Sequence, residues 1–175
     1  MESTTSIWKS CFKFGLILGL VYIVISVLLY VMDLTFATWI MIPNIVVGLI
    51  VLFLLQRSYR DTYENGYITY GKALGSGMIM FIYAAVLVAI YSYILYAIID
   101  PGLIDKTIAV STAKLEAKGM PQAAIDAATK MQEKMMKPWI ISVSAIFNTL
   151  ISGLLMSLIS SIFVSKKGNP LTENE

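Results

Sequence analysis

Four long stretches without a charged residue are the feature that most constrains how this chain folds. They contain 19, 23, 27 and 28 residues, and they lie between Lys13 and Asp33, Asp33 and Arg57, Lys72 and Asp100, and Lys137 and Lys166. A helix needs about 20 apolar residues, each rising 1.5 Å, to cross roughly 30 Å of hydrocarbon. The pattern therefore predicts four transmembrane helices.

Composition excludes several other classes of protein. Hydrophobic residues make up 58% of the 175 and charged residues 14%, so a soluble enzyme and a disordered chain are both excluded. The apolar stretches are too long for the strands of an outer-membrane barrel, which run to about 10 residues of alternating polarity. With no histidine and the single cysteine Cys11, we expect no metal site and no cofactor. The net charge of +2 is too small to indicate binding to nucleic acid.

The predicted fold is an all-α membrane protein with one domain over residues 1–175. Its spans cover residues 14–32, 39–55, 74–99 and 139–164, and the second helix must begin before Pro43 to be long enough to cross. A cleaved signal peptide is the alternative for the first span. However, its 19 apolar residues exceed the roughly 7 to 15 of a signal peptide.

The distribution of lysine and arginine predicts the orientation. The first loop has no cation, whereas the segments at the opposite ends of the spans carry Lys9, Lys13, Arg57, Arg60, Lys72, Lys166 and Lys167. The six lysines of the third loop are offset by acidic residues. Because cytoplasmic loops are enriched in cations, we expect both termini to be cytoplasmic.

The third loop, residues 103–137, is predicted to form an extracytoplasmic helical hairpin between the third and fourth spans. Gly119 is placed to end one helix and Pro121 to begin the next. Ala124, Ala128, Met131 and Met135 follow at helical spacing and form an apolar face. This face either packs within the hairpin and on the membrane, or docks a partner through Met131 and Met135.

Small residues four apart mark candidate helix-packing faces in three spans. The pairs are Gly15 and Gly19, Gly71 and Gly75, and Gly153 and Ser157. Small residues let helix backbones approach closely in lipid. They predict packing within one monomer, with the first pair near the second pair, or alternatively a homo-oligomer.

Polar residues support two specific hypotheses about function, a lipid head-group site and a passive channel or carrier. Arg57 and Arg60 lie in a segment rich in tyrosine, which is typical of a membrane interface, and they could also contact a lipid head group. No charged residue lies within the span cores, but Asn148, Ser152 and Ser92 could line a passive channel or carrier. No nucleophile and base occur together, which indicates that the protein is not an enzyme.

Several short motifs together resemble a known family. They are residues 14–19 (FGLILG), 66–74 (GYITYGKAL), 100–101 (DP), 119–121 (GMP) and 166–167 (KK). The chain resembles the family catalogued as domain of unknown function 4199, small inner-membrane proteins of Gram-negative bacteria. The resemblance implies four spans and a location in the bacterial inner membrane, and it implies no reaction or ligand.

The sequence therefore predicts a non-enzymatic, multi-pass membrane protein, embedded in the lipid bilayer. The leading hypothesis is an accessory or scaffold subunit for a membrane-protein partner. One alternative is the passive channel or carrier. The other is a subunit of an enzyme acting on lipid- or polyprenyl-phosphate-linked substrates, with Arg57 and Arg60 binding phosphate.

Overall fold

The computed structural model describes residues 6–166, which form six α-helices and no strand. The four long helices are α1 (Ile7–Val31), α2 (Met41–Tyr63), α3 (Tyr70–Ile94) and α6 (Pro138–Val164), and the two shorter ones are α4 (Leu103–Ala117) and α5 (Gln122–Met135). A 3-10 turn, Thr38–Ile40, leads into α2, and a π-helical turn, Leu95–Ile99, extends α3. All four long helices are long and apolar enough to span a membrane. Lys167 lies outside the described residues.

Local sequence signals account for several helix ends. The extended α3 ends at Asp100, before Pro101, whose ring disfavours helix in the preceding residue. Gly119 has a φ of +69°, and its N–H donates to the carbonyl of Glu116 at 2.8 Å as α4 ends. This left-handed conformation favours glycine. The hairpin of α4 and α5 is thus confirmed as a helical hairpin, and its extracytoplasmic location stays a prediction.

The third long helix lies at the centre of the bundle. α1 and α6 pack along α3, and α2 lies mainly against α6 and α1. Small residues on α3, among them Ala73, Gly77 and Ala84, are buried in these interfaces. The core is therefore built on a helix with small side chains, which lets its neighbours come close.

The bundle has two distinct ends. At one end, which we call the terminal end, Ile68 and Lys166 form a two-way backbone pair of 3.0 and 2.9 Å, joining the α2–α3 loop to the end of α6. At the other, the hairpin end, the Tyr30 hydroxyl donates to Asp100 at 3.2 Å and so joins the ends of α1 and α3. The start of α1 and the end of α6 therefore lie on the side opposite the α4–α5 hairpin.

The outer surface of the long helices is strongly apolar. Val31 and Ile42 are 74% and 72% exposed, and many other large apolar side chains on these helices are also exposed. Contiguous apolar surface of this kind is rare on soluble monomers. Together with the four apolar helices, it indicates a multi-pass membrane protein.

Candidate functional site

Gly15 and Gly19 lie on the face of α1 that touches α3. A Cβ placed on Gly15 would lie 2.6 Å from the Cβ of Tyr83 and 2.9 Å from the carbonyl oxygen of Met80. One placed on Gly19 would lie 3.1 Å from the Cα of Ala84. Contacts below 3.0 Å do not occur for real Cβ atoms, so the observed separation of α1 and α3 requires glycine at position 15, and it leaves little room for a larger residue at position 19.

The predicted pairing of this face with Gly71 and Gly75 is wrong. Among the described residues, no heavy atom outside the adjoining turns of α3 lies within 4 Å of a Cβ placed on either glycine. Instead, Tyr83 packs edge-on against Trp8 and Phe12, with ring centroids 6.2 and 5.2 Å apart. These aromatic contacts set the register of α1 along α3, and they bring Gly15 beside residues more than one turn beyond Gly75.

Gly153 and Ser157 also pack against α3. A Cβ on Gly153 would lie 2.7 Å from Cδ2 of Phe81, whose ring covers the glycine. The hydroxyl of the fully buried Ser157 lies 2.6 Å from where a Cβ on Gly77 would stand. The small-residue faces of α1 and α6 therefore both serve packing within the monomer.

A buried glutamine joins three helices near the terminal end. Gln56 is fully buried, its Nε2 donates to the carbonyl of Ala73 at 2.9 Å, and its Oε1 accepts from the Ser160 hydroxyl at 2.5 Å. Sequence analysis missed this residue because the predicted span ended at residue 55. A usable signal was present: Leu52, Gln56 and Tyr59 are spaced as one helix face, and all three are buried.

The two candidate head-group arginines have different environments. The Arg57 side chain is 59% exposed and pairs loosely with Asp61, at 3.8 Å. The Arg60 side chain is only 14% exposed, lies 2.8 Å from Asp61, and donates from Nη1 to the carbonyl of Val164 at 3.1 Å. Since the last carbonyls of a helix lack intrahelical partners, Arg60 caps α6. The arrangement favours a structural role for Arg60, and head-group binding stays a prediction.

The α4–α5 hairpin packs through Ile125, which is not part of the predicted apolar face. Ile125 of α5 is buried, and Thr112 and Thr129 form a 3.2 Å hydrogen bond between α4 and α5. By contrast, Met131 and Met135 are 63% and 51% exposed. The predicted apolar face is thus only partly correct: Ala124 and Ala128 are half-buried, whereas the two methionines point away from the hairpin contact.

A cleft with a mixed, mainly apolar lining opens between α1, α2 and α6, with α3 as its floor. Its volume is about 450 Å³. The polar side chains that line it are Tyr22, Ser26, Thr35, Asn44, Asn148, Thr149 and Ser152. A second cavity of about 150 Å³ shares Tyr22 and Ser26 with it and reaches Tyr91 and Ser92. The structure therefore places Asn148, Ser152 and Ser92, the proposed carrier lining, around two adjoining cavities.

The cleft exists because the first part of α2 stands away from the bundle. The buried residues of α2 are Gly48, Leu52, Gln56 and Tyr59, and none precedes Gly48. Pro43 is the third residue of α2, where its missing N–H has no intrahelical acceptor in any case, so the helix begins before Pro43 as predicted.

Tight packing closes the inner end of the cleft. The Tyr22 hydroxyl donates to Sδ of Met156 at 3.4 Å, and it also lies against Gly48, where a Cβ would overlap it. Beyond this point Leu18 and Leu52 are fully buried. Among the described residues, the cleft is therefore a pocket that ends inside the bundle, and the channel or carrier role stays a prediction.

Comparison with known families connects this architecture to a group of proteins. A family model described as a protein of unknown function (DUF4199) matches residues 13–166. The chain belongs to this family. The match extends from α1 to the end of α6, and it confirms the resemblance seen in the sequence motifs. No curated protein and no solved structure matches the chain. The family description names no activity, so any function is inferred from the residues of the chain.

Proposed function

We propose that this protein is a non-enzymatic accessory subunit of another membrane protein in the bacterial inner membrane. Both termini are cytoplasmic, and the α4–α5 hairpin contacts the partner on the extracytoplasmic side. The observation that carries the proposal is the exposure of Met131 and Met135 on a helical hairpin whose first residues contact the end of α3.

The charge distribution supports the orientation. At the terminal end, Lys9, Lys13, Arg57, Arg60, Lys72 and Lys166 lie close to the ends of the spans. Residues 32–40, which join α1 to α2 at the hairpin end, contain no cation. Cytoplasmic segments next to spans are enriched in lysine and arginine, so this difference favours a cytoplasmic terminal end.

The hairpin is fixed where it leaves the membrane. Leu103, the first residue of α4, is buried, and Lys106 lies 3.7 Å from Asp100. Asp100 also accepts the hydrogen bond from Tyr30. These contacts join the start of α4 to the end of α3, and beyond them α4 and α5 pack mainly against each other.

The chemistry of the exposed face favours a protein partner. Methionine side chains are flexible and polarisable, and they recur on adaptable protein-binding surfaces. A helix that lies in the membrane surface typically has aromatic anchors and an excess of cations. The hairpin, residues 103–137, has no aromatic residue, and its four acidic residues offset all but two of its six lysines.

Co-purification from native membranes tests this function. A variant with Met131→Glu and Met135→Glu should lose its partner while it still inserts into the membrane. The matched control is Ala109→Glu with Ala113→Glu, because these are also exposed residues four apart, on the neighbouring helix α4. Retention of the same partner by the methionine variant, or its equal loss from the control, would contradict the proposal.

A second copy of the chain is the alternative partner. Tagged and untagged copies expressed together distinguish it, since a homo-oligomer would bring the untagged copy along. If the untagged copy is recovered and lost in the methionine variant, the hairpin joins identical subunits and the accessory role is wrong.

A further inference from the structure

We propose that the cleft between α1, α2 and α6 binds an uncharged amphipathic lipid of the diacylglycerol type, with a hydroxyl-bearing polar group and apolar chains. This inference concerns a different region from the hairpin and does not depend on the accessory function.

The size of the cleft suits such a ligand. Its volume is about 450 Å³, and the adjoining cavity adds about 150 Å³. Sites for small molecules in proteins typically range from about 300 to 1,000 Å³. The cleft can therefore enclose the polar end and the first part of the chains of a lipid.

The lining selects an uncharged molecule. Among the described residues, no acidic or basic side chain lines either cavity. The polar groups are amides and hydroxyls, and apolar residues such as Ile25, Leu29 and Phe81 line the rest. A phosphate or an ammonium group would be removed from water without an opposite charge beside it, which is strongly unfavourable. Hydroxyl and ester groups require only the hydrogen bonds that amides and hydroxyls provide.

Two polar atoms in the lining lack partners. Oδ1 of Asn44 in the main cleft and the hydroxyl of Tyr91 in the adjoining cavity are buried, and neither has a hydrogen-bond partner among the described residues. Buried polar groups in proteins are normally paired. Neither atom is open to the cleft in this conformation, so a ligand hydroxyl would reach Asn44, and an ester oxygen would reach Tyr91, once the side chain turns toward the ligand.

The opening of the cleft gives access from the bilayer. Met41 and Ile45 of α2 and Asn148 of α6 line the cleft and are themselves exposed. They lie within helices that are long and apolar enough to span the membrane. A ligand dissolved in the lipid can therefore enter sideways between α2 and α6, whereas the inner end is closed at Tyr22 and Met156.

Photolabelling of the full chain in phosphatidylcholine nanodiscs tests the site. One probe is a diacylglycerol with a photoreactive group in an acyl chain, and the other is a phosphatidylglycerol with the same chains. We expect the diacylglycerol to label cleft residues several-fold more than the phosphatidylglycerol, and unlabelled diacylglycerol to compete. Equal labelling by the two probes, or labelling restricted to residues outside the cleft, would overturn the proposal.

Two variants keep the test independent of folding defects. Ser26→Phe fills the cleft, and Asn44→Leu removes the unpaired acceptor; each should lower cleft labelling about tenfold. The control Ser144→Leu alters an exposed serine of α6 that does not line the cleft, and its labelling should match the unmodified chain. Unchanged labelling in whichever of the two cleft variants remains folded would show that the cleft holds only water or bulk lipid.

Discussion

The hydroxyl of Ser160 donates a 2.5 Å hydrogen bond to Oε1 of Gln56, and this bond links α6 to α2 inside the bundle. The other end of the same amide binds the carbonyl of Ala73 on α3. A single side chain therefore holds three helices together at the terminal end, where apolar contacts alone give little preference for one register in lipid.

Replacement of this amide should weaken the bundle. Gln56→Leu preserves most of the volume but leaves the Ser160 hydroxyl without its acceptor, so we expect a loss of about 1 to 2 kcal/mol in the free energy of unfolding. Thermal unfolding in detergent measures the loss. Gln122→Leu is the control, because Gln122 is exposed and bonds only to Asp126 among the described residues. Equal stability of the two variants would show that the buried amide contributes nothing.

Glycine substitutions should have opposite effects at two sites. Gly15→Ala places a Cβ 2.9 Å from the Met80 carbonyl oxygen and should cost roughly 1 to 3 kcal/mol, since the backbone cannot move aside cheaply. Gly75→Ala meets no atom within 4 Å, so it should stabilise the helix by about 0.5 to 1 kcal/mol. The melting temperatures of the two variants should therefore lie on opposite sides of the unmodified protein. If Gly75→Ala lowers the melting temperature as much as Gly15→Ala does, the observed register of α1 and α3 is contradicted.

The cap on α6 predicts a difference between two neighbouring arginines. Arg60→Ala removes the donor to the Val164 carbonyl and should cost about 1 to 2 kcal/mol in the free energy of unfolding. Arg57→Ala removes only an exposed pair at 3.8 Å and should cost less than about 0.5 kcal/mol. Thermal unfolding of both variants checks this order, and a larger loss for Arg57→Ala would show that the cap is not important.

The orientation predicts which residues an impermeant reagent reaches. Cys11 is the single cysteine and is buried, so Cys11→Ser provides a background without reactive thiols. In this background, Lys118→Cys in the hairpin turn should react with an impermeant maleimide on intact spheroplasts. Thr62→Cys, at the exposed end of α2, should react only after the membrane is opened. If Thr62→Cys reacts on intact spheroplasts and Lys118→Cys reacts only after the membrane is opened, the orientation is the opposite of the proposed one.

The four long helices could be predicted from sequence because a charge in hydrocarbon is so unfavourable that its absence marks each span. The turn at Gly119 could also be predicted, since only a few residues adopt a positive φ without strain. In both cases the residues of the segment itself determine its structure, without contacts to the rest of the chain.

Contacts between helices could not be predicted from the same signals. The spacing of Gly15 and Gly19 marks a smooth face but contains no information about its neighbour, and the position along α3 depends on the packing of Tyr83. The cleft depends on how far the start of α2 stands away from α6, which follows from the packing of Gly48 and residues beyond it. Gln56 was overlooked because its burial follows from helix packing and not from hydropathy.

Photocrosslinking in living cells tests the proposed accessory role most directly. A photoreactive amino acid at Met131 or Met135 should form an adduct with one and the same membrane protein, because both positions lie on the exposed face of α5. The same group at Ala109, exposed on α4, should not form that adduct. Adducts with lipid alone, with a second copy of the chain, or with the same protein from Ala109 would contradict the account.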